Sequence, residues 1–185
     1  TNPNVSEELI SHDDFSITTV PLKHRIPCTG FVLREKGAIR KINVDACVEN
    51  GVPVSFYEEL KLGKNYLSET GREIENEDLT FEALSRRSFA YLSDTIYDPT
   101  FVPFIKNVNL LYHESTFLEK NSELATKTKH STAKQAAQIA QKAEVKQLML
   151  GHFSNRYPNK EDFITEASTV FQNVILAEDL KTFTI

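Results

Sequence analysis

HSTAKQAAQIAQKAEVKQLMLGH, residues 130–152, is the stretch whose reading decides the fold. Ala133, Ala136, Ala137, Ile139, Ala140 and Ala143 recur at helical spacing and give one narrow apolar face. Ser131 or Thr132, just before them, is a suitable N-cap. The run KQLML then reads as a buried strand that stops at Gly151-His152. A helix followed directly by a fully apolar strand is half of a βαβ unit.

Working outward, NLLYHEST (109–116) is an apolar strand ending in polar residues, and LEKNSELATKTK behind it reads as a loop. NKEDFITEASTVF (159–171) is an amphipathic helix, and NVILAED and KTFTI read as closing strands. The second half therefore alternates strand and helix, the pattern of an α/β fold. Upstream, FSITTVPL (15–22), FVLRE (31–35) and FAYLS (89–93) read as strands, and TIYDPTFVPFIKN (95–107) as proline-interrupted helical turns. The first dozen residues are polar and peripheral. Residues 36–88 are the least legible, with a short helix predicted to end at Gly51 and another within VPVSFYEELKLG. The whole is expected to be one domain over 1–185.

Composition bounds the function. The 185 residues are 40% hydrophobic and 25% charged, an ordinary globular balance. No apolar run approaches the roughly 20 residues that span a bilayer, so no membrane partner is expected. The start, TNPNVSEELI, lacks the basic and apolar regions of a signal peptide. Cys28 and Cys47 belong to no C-x-x-C motif and read as reduced thiols, which fits a cytoplasmic location. The net charge of −5 argues against a generally basic nucleic-acid binder, so any RNA contact has to come from a local patch, for which Lys127, Lys129, Lys134 and Arg156 are candidates.

Functional loops in such sheets follow the C-terminal ends of strands. His24, Asp94, His113-Glu114 and His152 all sit there. Imidazole and carboxylate suit zinc, and a carboxylate can bridge two ions. Yet no two of the five histidines lie two to four residues apart, so any metal site must be assembled across loops. Each candidate also has an ordinary reading: Asp94 as a helix N-cap, His130 as an exposed cap residue, and His113-Glu114 as a hydrogen-bonded pair or the polar end of a strand. His130-Ser131-Thr132 opens a helix N-terminus, where free backbone N–H groups favour anions.

PLKHRIPCTGFVLRE, FAYLSDT, LLYHESTF, KHSTAKQAAQIA and LMLGHFSNRY occur in the order and at the spacings of ribonuclease Z, and the chain resembles that family from residue 15 to about 157. The resemblance implies a metallo-β-lactamase αββα sandwich, here its C-terminal portion only. It also implies a zinc-dependent endonuclease that trims the 3′ end of precursor tRNA. On that basis His24 and His152 are ligands of two different zinc ions, and Asp94 bridges both. His130 donates a proton to the leaving 3′-oxygen, oriented by Glu114. Ser131, Thr132 and Arg156 contact phosphate. Ser115 stands where the family often has Ala.

The family's H-x-H-x-D-H signature, with three further ligands and the general base, is not among these residues. Nor is a glycine-rich insertion of the kind that clasps tRNA in some members. Thr1 in place of Met suggests processing or a boundary, and the chain reads as one piece of a longer protein. Three expectations follow from the resemblance: incomplete zinc binding, no cleavage by this chain alone, and pairing into a homodimer to cover an apolar face. The competing readings are a non-catalytic domain, or another phosphodiesterase or hydrolase of the same superfamily.

Overall fold

The computed structural model describes residue 2 and residues 4–36, 40–82 and 86–185; Thr1 lies outside them. In chain order the elements begin with strands β1 (Glu8–Ser11), β2 (Phe15–Leu22) and β3 (Cys28–Glu35). A second segment follows, made of β4 (Lys41–Ile42), α1 (Val44–Glu49), α2 (Tyr57–Lys61), β5 (Tyr66–Leu67), β6 (Glu73–Ile74), α3 (Asn76–Leu79) and β7 (Thr80–Phe81). The chain closes with β8 (Ser88–Leu92), α4 (Val102–Ile105), β9 (Leu110–Glu114), α5 (Ser122–Thr128), α6 (Ala133–Lys142), β10 (Gln147–Gly151), α7 (Glu161–Ala167) and β11 (Val174–Leu176).

The chain divides into two compact units, Thr1–Glu35 with Arg87–Ile185, and Lys36–Arg86. The smaller unit closes on a core of its own, Cys47, Val52, Leu60, Ile74 and Leu79. Buried Asn76 holds it locally, donating from Nδ2 to the carbonyls of Leu60 and Lys64.

The larger unit is built on one seven-stranded sheet in the order β1-β2-β3-β8-β9-β10-β11. β1, β2, β3 and β8 pair antiparallel, and β8, β9, β10 and β11 pair parallel. Two antiparallel steps separate β2 from β8, so these two strands run the same way. The C-terminal ends of β2, β8, β9 and β10 therefore open on one edge of the sheet.

Alternation along each strand sends one set of side chains into a core with the helices: Val20, Val32, Ala90, Leu92, Leu111, Leu148 and Leu150. The alanine face of α6 lies on that surface, fully buried at Ala133, Ala136, Ala137, Ile139 and Ala140. Small side chains let the helix approach the sheet closely. Thr132 starts α6 with a capping box: its hydroxyl accepts from Gln135 N, and the Gln135 side chain accepts from Thr132 N. On the other face of the sheet, Phe31 and the adjacent Tyr91 stay 37% and 39% exposed.

Three sequence expectations are corrected. LEKNSELATKTK carries helix α5, which the sequence does not declare because the helix buries only Ala125 fully, and adjacent Leu124 and Ala125 show no period. Lys129, left-handed at φ 58°, ends that helix, and His130 N donates back to Ala125 O. KTFTI forms no strand: pairing stops after Leu176, and Leu180 adopts φ 62°, which breaks extended structure. The polar start holds an edge strand, β1, exposed throughout and so without an apolar alternation to reveal it.

Gly30 on β3 faces a neighbour that cannot yield. A Cβ there would stand 2.7 Å from both the Tyr91 carbonyl and the Leu92 side chain. Gly30→Ala is expected to lower stability by about 1–3 kcal/mol, read from the denaturant midpoint; an unchanged midpoint contradicts this close packing.

Candidate metal centre

At the shared edge, three strand ends and the loop between α5 and α6 present side chains to a common space. Asp94 follows β8, Glu114 ends β9, His152 follows β10, and His130 stands between α5 and α6. One donor atom from each of these four lies within 4.8 Å of the others. His24, in the turn after β2, is outside that group of four; its ring packs against His130, centroids 4.8 Å apart. His130 in turn lies 5.3 Å from the ring of His152. The sequence candidates His24, Asp94, Glu114, His130 and His152 are thus brought together.

Glu114 is the centre of the arrangement. It is fully buried. Its Oε1 accepts from Thr95 N at 3.0 Å and from His130 Nδ1 at 2.7 Å. Its Oε2 accepts from Thr116 N, Thr116 Oγ1 and Ser131 N at 3.0, 2.8 and 3.1 Å. Five donors use all of the roughly four lone-pair directions a carboxylate offers. Glu114 therefore belongs to the four by proximity but has nothing left for a cation.

The same bonds fix the tautomers. The acceptor-only carboxylate of Glu114 requires the proton on His130 Nδ1. Thr116 gives its hydroxyl proton to Glu114, so it must accept from His152 Nδ1, 2.8 Å away. His24 Nδ1 donates to the Lys129 carbonyl at 2.8 Å. All three rings are left with a bare Nε2, the state in which imidazole ligates metal or relays a proton. His152 Nε2 lies 3.3 Å from Asp94 Oδ1.

Asp94 and His152 both sit in the left-handed region, at φ 48° and 59°. Such backbone persists in non-glycine residues where surrounding structure over-determines it, and it gathers at functional sites. Here the bonds of Thr95 and Thr116, beside or against these two residues, supply that restraint.

Thr95 is the functional residue that the sequence reading missed. It is completely buried. Its N–H meets Glu114, its carbonyl accepts from Ser131 Oγ at 2.8 Å, and its Oγ1 accepts from Lys23 N at 3.1 Å. One residue thus ties the neighbours of His24, Asp94 and His130 together. Its only sequence signal was its place directly after Asp94. Lys23 also pairs with buried Asp98, which reinforces the β2 turn.

Ser131 and Thr132 lie beneath His130 rather than on the surface. Both are fully buried, and both hydroxyl protons are committed, to Thr95 O and to Glu119 Oε2. Arg156 stands with its guanidinium 5.5 Å above the Phe117 ring, and that ring lies 6.2 Å from His130. His113 turns away into the sheet interior; its Nδ1 donates to the Glu114 carbonyl, and burial pushes its pKa down, so it stays neutral. Beside His152 the edge opens into a cavity of about 500 Å³ walled by stacked Tyr91 and Tyr112, with Lys160 and Asp179 on its rim. Burial, with the nearby Tyr91, pushes the Tyr112 phenol up to about 12, so it remains protonated.

Burial would raise the Glu114 pKa, but the His130 hydrogen bond and the backbone donors outweigh it and hold the carboxyl low. The bond to Glu114 raises His130 against the opposing effect of burial. The depressed carboxylate contributes stability that is complete above its unfolded value, about 4.3, and lost as pH falls through the folded value. The raised imidazole contributes stability that is complete below about 6.5 and lost as pH rises through its folded value. The ion pair is therefore full between those limits.

No family model matches the chain. Among solved structures it resembles the metallo-β-lactamase fold protein YhfI from Bacillus subtilis, with TM-score 0.60 and 20% identity over 96% of this chain and 52% of that one. It resembles human tRNase Z, short form, with TM-score 0.56 and 22% identity over 97% and 47%. The sheet with its loaded edge is thus part of a metallo-β-lactamase fold.

Within that class the chain is homologous to ribonuclease Z. It is 42% identical to ribonuclease Z of Bacteroides thetaiotaomicron over 181 residues and 39% identical to that of Parabacteroides distasonis over 178. These matches take in 97% and 96% of the chain but 57% and 59% of the relatives, so the chain spans under three fifths of their length.

Glu114→Gln sets an amide N–H₂ against backbone donors and should cost roughly 2–5 kcal/mol at pH 6. It should also bring the His130 midpoint, followed by NMR in the metal-free protein, down from its raised value. An unmoved midpoint contradicts the pairing.

Proposed function

We propose that the protein carrying this chain is a zinc-dependent endoribonuclease that removes the 3′ trailer of precursor tRNA, acting in the cytoplasm. The observation that carries the reading is the joint presence, on one sheet edge, of the Asp94–His152 pair and the Glu114–His130 pair in a chain about 40% identical to ribonuclease Z. Free thiols at Cys28 and Cys47 accord with the location, and no helix among the described residues is long and apolar enough to cross a membrane.

The donor chemistry fits zinc. Two bare imidazole Nε2 atoms, of His24 and His152, with Nδ1 held by a carbonyl and a hydroxyl, beside an Asp94 carboxylate open to a cation, are the nitrogen and oxygen donors zinc prefers. We assign His24, Asp94 and His152 as the residues that would hold zinc. When bound, zinc supplies Lewis-acid activation of water and of the phosphate.

The chain's own residues do the rest. Protonated at its raised pKa, His130 gives the Nε2 proton to the departing 3′-oxygen, while Nδ1 stays bonded to Glu114. Glu114 holds the ring in place and stabilises its charged form before the transfer. Ser131 and Thr132 fix the His130 loop from below, and Arg156 meets a neighbouring phosphate.

The test is cleavage of a 3′-extended tRNA by the protein that joins these residues to an H-x-H-x-D-H segment. Zinc-dependent trimming is expected, and His130→Ala should lower kcat by about 10²–10⁴ with KM little changed, the usual contribution of a general acid. The 185-residue chain by itself is expected not to cut. Absence of trimming in the former, or robust trimming by the latter, contradicts the assignment.

We also propose that this chain, studied alone, pairs into a homodimer through the sheet face bearing Phe31 and Tyr91, which are paired in register across β3 and β8 and are each more than a third exposed. Light scattering should give twice the 21.0 kDa chain mass; a monomer at all concentrations contradicts it.

A further inference from the structure

Charge is distributed unevenly along the chain. Residues 117–160 hold eight Lys and Arg against three Glu, a local excess of five positive charges in a chain whose net charge is −5. Four of those cations are held over aromatic rings: Lys142 over Tyr97 on α6, and three others around the loop after His152. Lys120 Nζ lies 5.6 Å over the ring of Tyr157, Arg156 5.5 Å over Phe117, and Lys160 5.5 Å over Phe153.

The rings that carry them are not loose. Phe153 and Tyr157 both pack on buried Phe163, at 4.7 and 5.2 Å. The Tyr157 hydroxyl donates to Asn121 and accepts from Leu118 N, which locks the Lys120 segment to the loop after His152. None of the three cations pairs with a carboxylate among the described residues, whereas Lys23, Lys61, Lys64, Arg87, Lys106 and Lys181 all do.

Cations held over aromatic faces have already lost part of their side-chain freedom, and without a carboxylate they keep their full charge for an external anion. Arg156 is already assigned to a phosphate beside His130. Lys120 and Lys160 belong to the same loop assembly and lie outside the metal centre.

We propose that Lys120 and Lys160 extend the Arg156 contact into a track for successive phosphates of the RNA strand, running from the edge at His152 along the loop 153–160. This rests on the functional reading above and adds where the substrate's backbone lies. The track positions and does not read sequence, since it offers charge to phosphates rather than hydrogen bonds to bases.

The test is the affinity of the 185-residue chain for a fluorescently labelled tRNA with a 3′ trailer, followed by anisotropy across a salt series. Lys120→Ala and Lys160→Ala should each weaken binding and each reduce the slope of log affinity on log salt by about 0.7–0.9, the loss of one phosphate contact. Lys142→Ala is the control: it removes the same charge from a lysine held over Tyr97 at the far end of α6, and should leave the slope unchanged. If Arg156→Ala weakens binding and neither lysine change does, the track is overturned while the functional reading stands. If the unaltered chain binds no tRNA, the track is overturned, while the functional reading is decided separately by trimming with the joined protein.

Discussion

A single buried carboxylate organises the working edge of this molecule. Glu114 accepts five hydrogen bonds that arrive from the ends of three separate segments: Thr95 after β8, Thr116 beyond β9, and His130 and Ser131 before α6. An ionised carboxylate out of water costs several kcal/mol unless it is fully compensated. Here compensation is complete, and the groups that compensate it are the backbone and side chains that must be aligned for chemistry. Burial and function are therefore one arrangement. Were Glu114 apolar, Thr95, Thr116 and His130 would lose their common acceptor at once.

The consequence spreads outward through protons. Glu114 takes the Thr116 proton, and Thr116 therefore takes the Nδ1 proton of His152. Glu114 takes the His130 proton directly, and the Lys129 carbonyl takes that of His24. Three rings from three loops end with the same nitrogen free. Thr95 adds the mechanical link, joining the β2 turn to the β8 and α6 loops through backbone and hydroxyl bonds. The strained backbone of Asp94 and His152 is held between these anchors.

Much of this was legible in the sequence, for identifiable reasons. β2 is read directly because β-branched and apolar residues dominate it, β10 because its short apolar run stops at Gly151-His152, and α6 because alanine spacing and Thr132 both declare it. The candidate residues were found because polar side chains after buried strands stand out, and their roles came from resemblance rather than from spacing. Three things stayed hidden. α5 buries only Ala125 fully and so carries no periodicity. β1 is exposed on every position. Thr95 works through bonds to residues distant in sequence, and nothing local marks a threonine as a three-way tie. Ser131 and Thr132 were read as phosphate contacts by resemblance; nothing in their local sequence told that packing of α6 on the sheet buries both side chains.

The central claim, that Glu114 sets the tautomers of the site, is tested most directly by ¹⁵N NMR of the histidine rings in the metal-free protein, at a pH above the raised His130 value. Correlations placing the proton on Nδ1 of His24, His130 and His152 are the predicted result. A proton on Nε2 of His130 or His152 would contradict it.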